Sequence, residues 1–352
     1  GEFRGRGHGS WENFLKKGYK VKFDKKQGLF GLAANKHWAL VAGGHDDSLI
    51  RHNLAYTIAG ESLDYINFQT AVTELEVYIN GSYHGVYSLF EQIRVAEGRV
   101  DIDSQFGEVE TDYLLEYDAY AVDEGEEGLV YFRVPGLKYP FLIKGPKMTD
   151  YEEKGFSEAE IRPQVEYIKG YVTEVVEAIF NEDEAEFRRL ADVNSFVDMY
   201  ILHELFKNTD TGWSSFYLYK QVGDKLYAGP AWDFDLSSGV NRGDQGPTGF
   251  YVSDKVQQYS AFTASEIYIS LMQQEWFKIE FANRFLEVKA NITSSINDYY
   301  LKISDYEDAY KRDAVRWTNG NNLWETEQQN LKVWLLTRID WLSDWCEDYL
   351  AN

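Results

Sequence analysis

The sequence predicts an α+β protein built as two lobes, strand-rich over residues 1–150 and helix-rich over residues 151–352. Three observations carry this. Up to residue 150 several apolar runs alternate with polar residues and an Asn-Gly pair marks a hairpin; from about residue 153 the apolar residues recur at helical spacing. The 352 residues are 44% apolar and 16% aromatic, enough to bury a sizeable core.

The chain opens with "RGRGHGSW" (4–11), in which glycines permit close backbone approach and Arg4 and Arg6 add positive charge. Such a loop suits an anion such as a phosphate, or is a tight surface turn anchored by Trp11. "YKVKF" follows as a strand, with Tyr19, Val21 and Phe23 on one face and Lys20 and Lys22 on the other. "HDDSLIRHNLAYTIAG" reads as a helix capped by Asp46 or Asp47 and stopped at Gly60. "LEVYINGSYHGVYSLFEQI" is a hairpin turning at Asn80-Gly81, and the acidic stretch 123–128 is a solvated loop between two further strands. In the second part Val165, Ile168, Val172, Val175, Val176 and Ile179 share one helical face. "DVNSFVDMYILHELF" is apolar nearly all round, the pattern of a buried helix, and the stretch from Trp324 is a last amphipathic helix.

The 35 basic and 58 acidic residues give a net charge of −23, which repels nucleic-acid phosphates and favours basic proteins or metal cations as partners. Cys346 is the single cysteine, so an internal disulfide and a cysteine metal site are excluded. No run of about twenty apolar residues appears, which excludes a helical membrane span. The chain starts without Met and almost inside its first motif, which predicts an upstream strand and a targeting segment outside it.

The most informative region is 207–239, "KNTDTGWSSFYLYKQVGDKLYAGPAWDFDLSSG". Two short β-like runs flank the turn "QVGD", so a hairpin folded there brings Asp210 and Asp233 to the same end. Trp232, Phe234 and Leu236 alternate with Asp233 and Asp235, which puts both carboxylates on one face of a strand. Carboxylates held close together need a cation between them or a shared proton. A hard cation such as Mg²⁺ with substrate phosphates makes a phosphoryl-transfer site; a metal-free pair makes a glycosidase-like couple. The bland alternative is a turn cap at Asp210 and a strand end at Asp233 and Asp235.

Together, "RGRGHGSW", "KKGYKVKFDKKQGLFGL", "KHWALVAGGHDDSLIRHNLAY", "VYINGSYHGVYSLFEQI", "NTD…SSFYLYK" and "GPAWDFDLSSG" resemble the spore coat protein H (CotH) family of atypical protein-kinase-like enzymes, in order from residue 4 to about 240. The resemblance implies a two-lobed kinase-like fold, ATP with Mg²⁺ or Mn²⁺, and a protein acceptor bearing Ser or Thr. Asp210 then matches the catalytic-loop aspartate and Asp233 the metal-binding aspartate, here in Asp233-Phe234-Asp235. Arg4, Gly5, Arg6, Gly7, Gly9 and Ser10 match the nucleotide-phosphate loop. Lys17 and Lys22 compete, with Lys20 behind them, for the phosphate-pairing lysine. Tyr227 is placed to cover the adenine, with core packing as its alternative. Arg51 binds phosphate or forms a surface pair with Asp47, and His203 is a packed core histidine.

Where many members carry an asparagine ahead of "FYLY", this chain has Ser215, a weaker ligand that leaves Asp235 to complete the metal set. That departure keeps a nucleotide-binding module without turnover beside the active-kinase reading. The resemblance also implies a spore-coat or extracellular bacterial location. A carbohydrate-binding or glycan-processing protein is the alternative suggested by the aromatic content.

Overall fold

A computed structural model describes residues 1–7, 9–240, 246–255, 265–318, 320 and 322–352; His8 of the opening motif lies outside the described residues. Two five-stranded antiparallel sheets, with helices around them, give a mixed α+β architecture compatible with two lobes.

The first sheet contains β1 (Glu2–Arg6), β2 (Gly18–Gln27), β3 (Asn35–Val41), β4 (Val72–Ile79) and β5 (Ser82–Glu91), in the order β1-β2-β3-β5-β4. The first three residues of the opening motif are thus strand, and the short helix α1 (Gly9–Asn13) takes in its end. Tyr19 and Val21 pack with Trp38 and Leu40 on one face of the sheet, as the alternation requires. Asn80 and Gly81 both have positive φ, 50° and 79°, the backbone that a two-residue type I′ hairpin demands.

Helix α2 (Arg51–Ser62) starts later than the sequence suggests and runs through Gly60. Asp46 is spent on the preceding turn instead, accepting the Ser48 and Arg51 backbone N–H groups at 3.0 and 2.8 Å. The Arg51 partner is therefore Asp46 in a buried pair, and the expected surface pair with Asp47 does not form.

The second sheet, β10-β9-β6-β8-β7, combines β6 (Tyr113–Tyr117), β7 (Tyr131–Phe132) and β8 (Phe141–Gly145) with β9 (Phe216–Lys220) and β10 (Leu226–Ala228). It draws strands from both sides of residue 150, because β6 pairs with β9, Tyr117 opposite Phe216. The helices α3 (Glu158–Phe180), α4 (Glu184–Leu190), α5 (Val193–Phe206), α6 (Glu266–Leu271), α7 (Glu275–Ser304), α8 (Glu307–Trp317) and α9 (Leu323–Ala351) complete the fold. Among the described residues no helix is long and apolar enough to cross a membrane.

Helix α5 is buried on all sides except at Asn194, as its composition requires. Its two buried carboxylates are matched by partners. Asp198 takes a two-pronged pair from Arg284 of α7 at 2.8 and 3.1 Å, and Glu204 pairs with Arg338 of α9 at 2.7 Å, both side chains fully buried. Glu204 also accepts the Tyr251 and Val252 N–H groups, while Arg338 donates to the Pro247 and Gly249 carbonyls. Replacing Arg338 with Leu leaves Glu204 buried without its counter-charge, so the expected loss is about 3–5 kcal/mol in urea unfolding; a cost below 1 kcal/mol would contradict this.

Candidate functional site

The end of α5 begins the site. Lys207 takes the left-handed conformation, φ 46°, and its side chain is bonded to the Gly246 carbonyl at 2.8 Å. The chain then turns through 208–215 into β9, and after β10 it returns as coil. Two residues tie the outgoing and returning segments. Asn208 Nδ2 donates to the Asp233 carbonyl at 2.8 Å while its Oδ1 accepts the Asp210 N–H at 3.0 Å. Thr209 donates both its N–H and its hydroxyl to the Leu236 carbonyl, at 3.3 and 2.8 Å. Asp210 and Asp233 are thereby held at one end of the β9–β10 hairpin.

The expected strand over 232–236 is absent; the segment is coil and turn, with Asp233 at φ 65°. The reason lies in α2. Its Tyr56 hydroxyl accepts the Asp233 N–H at 3.2 Å and its His52 Nδ1 accepts the Phe234 N–H at 3.1 Å, so side chains replace a neighbouring strand as acceptors. Burial still alternates in part, because Phe234 packs on His203, Phe206 and Tyr56, and Trp232 on Phe90.

A cleft of ≈ 440 Å³ joins these segments. Of the residues singled out from the sequence, it brings together Arg6, Gly7, Ser10, Asp210, Ser215, Asp233 and Asp235. Gly7 has φ 102° and a Cβ there would lie 2.1 Å from Ser10 Oγ, so only glycine fits this turn. Gly9 opens α1; Gly5 sits under the Trp11 indole and Arg4 is in β1, and these two do not line the cleft.

Nor do Lys17, Lys22 and Tyr227. Lys17 bonds the Trp11 carbonyl and lies over that ring, and Lys22 pairs with Glu2 across the β1–β2 ladder at 3.3 Å. Tyr227 stacks on Tyr219 at 5.0 Å and donates to Asp224. His203 is a buried ring bonded to the Thr211 hydroxyl at 2.9 Å, its pKa pushed down to about 3 by burial. The lysine lining the cleft is Lys144, paired with Glu116 at 2.7 Å. His52, Tyr56, Glu116, Asp118 and Lys144 also line it; none was singled out from the sequence, although His52 and Tyr56 fall within the motif "HDDSLIRHNLAY".

His52, Asp233 and Asp235 each offer a ligand atom within 4.8 Å of the others. Burial first, and then the Asp235 charge, push the Asp233 carboxyl above its usual range; His52, Arg6 and the Ser215 hydroxyl at 3.5 Å act in the opposite direction. The two carboxylates suit a hard divalent cation. The imidazole is differently placed. Its Nδ1 accepts an N–H and so holds no proton, which puts the ring proton on Nε2, facing Asp233 Oδ1 at 3.6 Å. A cation at Nε2 would have to displace that proton, so the carboxylates are the better-suited donors of the three.

Beside them Asp118 accepts the Tyr120 N–H at 3.0 Å and the Ser214 hydroxyl at 2.7 Å. Burial, followed by the Glu116 charge, pushes its pKa up to about 6.

Two antiparallel sheets, with a cleft in which a glycine turn, a loop aspartate and a carboxylate pair converge, define a mixed α+β protein compatible with two lobes. The family model described as CotH kinase protein matches residues 2–342, and the chain belongs to that family. Comparison with curated proteins returns no match.

Asp118 binds its proton more tightly folded than unfolded, so its contribution to stability falls as pH rises from the ordinary 3.8 through about 6. Relative to Asp118→Asn, the parent should lose roughly 2–3 kcal/mol between pH 4 and 7 in urea unfolding. Parallel profiles for the two proteins would remove this assignment.

Proposed function

We propose that the protein is an atypical kinase that transfers the ATP γ-phosphoryl group to a Ser or Thr hydroxyl of a protein acceptor. The observation that carries the reading is the convergence of Asp210, Asp233 and Asp235 with the Arg6–Ser10 turn in one cleft. Phosphoryl transfer asks mainly for positioning and charge neutralisation, and these groups supply both. Asp210 orients the acceptor hydroxyl and takes its proton as the oxygen–phosphorus bond forms and the bond to the departing ADP oxygen breaks. Asp233 and Asp235, with Ser215 beside them, hold Mg²⁺ or Mn²⁺; when bound, the cation neutralises polyphosphate charge. Arg6 and the backbone of the Gly7 turn face the phosphates.

Glu116, Asp118 and Glu124 also line the cleft, which favours acceptors flanked by Lys or Arg. A coat-associated or extracellular bacterial protein is the partner that the family membership suggests. Ser215, standing where an amide oxygen would be the stronger ligand, supports a second reading as a nucleotide-binding module without turnover. The glycan reading has less support: Tyr120 and Trp213 beside Asp210 meet edge to face at 73° and make no flat platform for a sugar ring.

Labelled-phosphate transfer to a Ser-rich basic acceptor separates these readings. The parent should transfer with Mg²⁺ or Mn²⁺, and Asp210→Asn and Asp233→Asn should each lower the rate at least a hundredfold. A thermal shift with ATP and metal but no transfer by the parent selects the module; Asp210→Asn at full rate refutes the role given to that residue.

A further inference from the structure

The segment that follows β2 takes no part in the cleft. Residues 28–34, "GLFGLAA", carry no polar side chain and form the tip of the β2–β3 hairpin. Leu29 and Leu32 pack inward on the cluster around Trp38, and the Leu32 N–H closes the turn on the Leu29 carbonyl at 2.8 Å. Phe30 does the opposite. Its ring is 71% exposed, and its backbone stands at φ 50° ahead of Gly31 at 82°. Gly and Asn adopt that conformation readily, whereas a bulky side chain is strained there. An exposed ring on a strained backbone is a poor choice for the stability of this chain alone.

The tip is also basic. From Lys25 to Lys36 the stretch has three lysines and no carboxylate, in a chain whose net charge is −23. Even with Glu97 on Lys26 at 3.2 Å and Asp24 acting with Lys36, the tip keeps a positive excess.

A hollow of matching chemistry lies at the far end of the same two strands. A cavity of ≈ 350 Å³ is walled by Phe14, Leu15, Leu49, Trp317, Leu323 and Trp324, drawn from the segments before β2 and after β3 and from α8 and α9. Leu15 and Leu323 are exposed, so apolar side chains stand at its mouth. That volume admits an aromatic ring. Among its charged lining residues Lys16 is paired with Asp313, and Asp46 with Arg51. Asp47 has no ion pair among the described residues, and Asp46 and Glu327 add like charge to it. Strand β2 is ten residues long, so the tip and the hollow are about 30 Å apart and cannot meet within one molecule.

We propose that the hairpin tip of one copy of this chain seats Phe30 in the hollow of a second copy, with Lys25 and Lys36 beside Asp47. The two copies use different surfaces, so each pair retains a free tip and a free hollow and assembly runs on head to tail. One ring flanked by lysines makes a small interface, and the association is therefore weak and concentration-dependent. None of these residues belongs to the cleft, and the inference does not rest on the phosphotransfer reading.

Sedimentation equilibrium of the full chain over a hundredfold range of concentration tests it. The average mass of the parent should climb past that of two chains. Phe30→Ser removes the ring of the tip, and Asp47→Lys with Leu323→Ser damages the hollow; each protein alone should associate at least tenfold more weakly. An equimolar mixture should recover association, because one protein supplies an intact hollow and the other an intact tip, and should stop at two chains. Phe30, Asp47 and Leu323 are exposed, so these proteins should melt with the parent. A parent that stays single throughout, Phe30→Ser associating as the parent does, or a mixture that stays single overturns the proposal. So does a single-chain parent whose Phe30 is needed for binding phosphatidylserine vesicles, since the tip then belongs to a lipid surface. No readout involves nucleotide, so an inactive enzyme would sink the kinase reading without touching this one.

Discussion

The site depends on one crossing of the chain, where Asn208 and Thr209 donate to the carbonyls of Asp233 and Leu236. A hairpin brings its two ends into the same neighbourhood; these bonds fix their register. They are side chain to backbone, so they hold coil against coil where no ladder is available. Asn208 spends both ends of its amide on this task, since its oxygen also accepts the Asp210 N–H. The crossing is anchored in turn by α5, whose left-handed final residue, Lys207, is bonded to the Gly246 carbonyl, and whose Glu204 is locked to Arg338. A chain of hydrogen bonds therefore runs from α9 to the carboxylate pair.

Charge is sorted within the cleft in a way the total does not reveal. Carboxylates collect where the hairpin and α2 meet, with Asp233 and Asp235 near one another and His52 turned toward them. Cations collect along β1 and β2 and on the segments bearing Arg94 and Lys144. A net charge of −23 describes the exterior field; the cleft lining itself carries both signs, with Arg6 and Lys144 among its carboxylates.

Much of this was legible from sequence because period and turn chemistry are local. The Asn80-Gly81 hairpin, the β9–β10 hairpin and the buried α5 each follow from residues that touch near neighbours. What could not be read depends on partners far along the chain. The helical start moved from Asp46 to Arg51 because Asp46 was claimed by a buried pair and a local turn. A strand was expected at 232–236 because apolar and acidic residues alternate there, yet the backbone N–H groups of Asp233 and Phe234 go to α2, more than 170 residues earlier. Alternation reported burial correctly and hydrogen bonding wrongly. Lys144 went unread for a related reason: period 2 says which side chains share a face, and only the second sheet decides that Lys144 reaches the cleft.

The same long-range bonding explains how the protein tolerates crowded like charges. Asp233 is raised above its usual range by burial and Asp235, a cost that the site cannot recover from its own contacts. The framework around it is tied between the first sheet and the helices at several points. Arg312 of α8 grips Glu76 of β4 through two bonds of 2.8 Å, Asp313 accepts the Val86 N–H at 2.7 Å and pairs with Lys16, and Trp317 donates to the His84 carbonyl. Helix α2, buried over most of its length, is fixed near both ends, Asn53 donating to Glu74 and Ser62 meeting Ser295 of α7 at 3.0 Å. Because α2 also supplies His52 and Tyr56, any shift of the first sheet against the helices would pull the acceptors away from Asp233 and Phe234. The contacts between the first sheet and the helices and the alignment of the carboxylates are therefore one property: the α8 ties that hold the sheet in place also hold α2 and its bonds to Asp233 and Phe234.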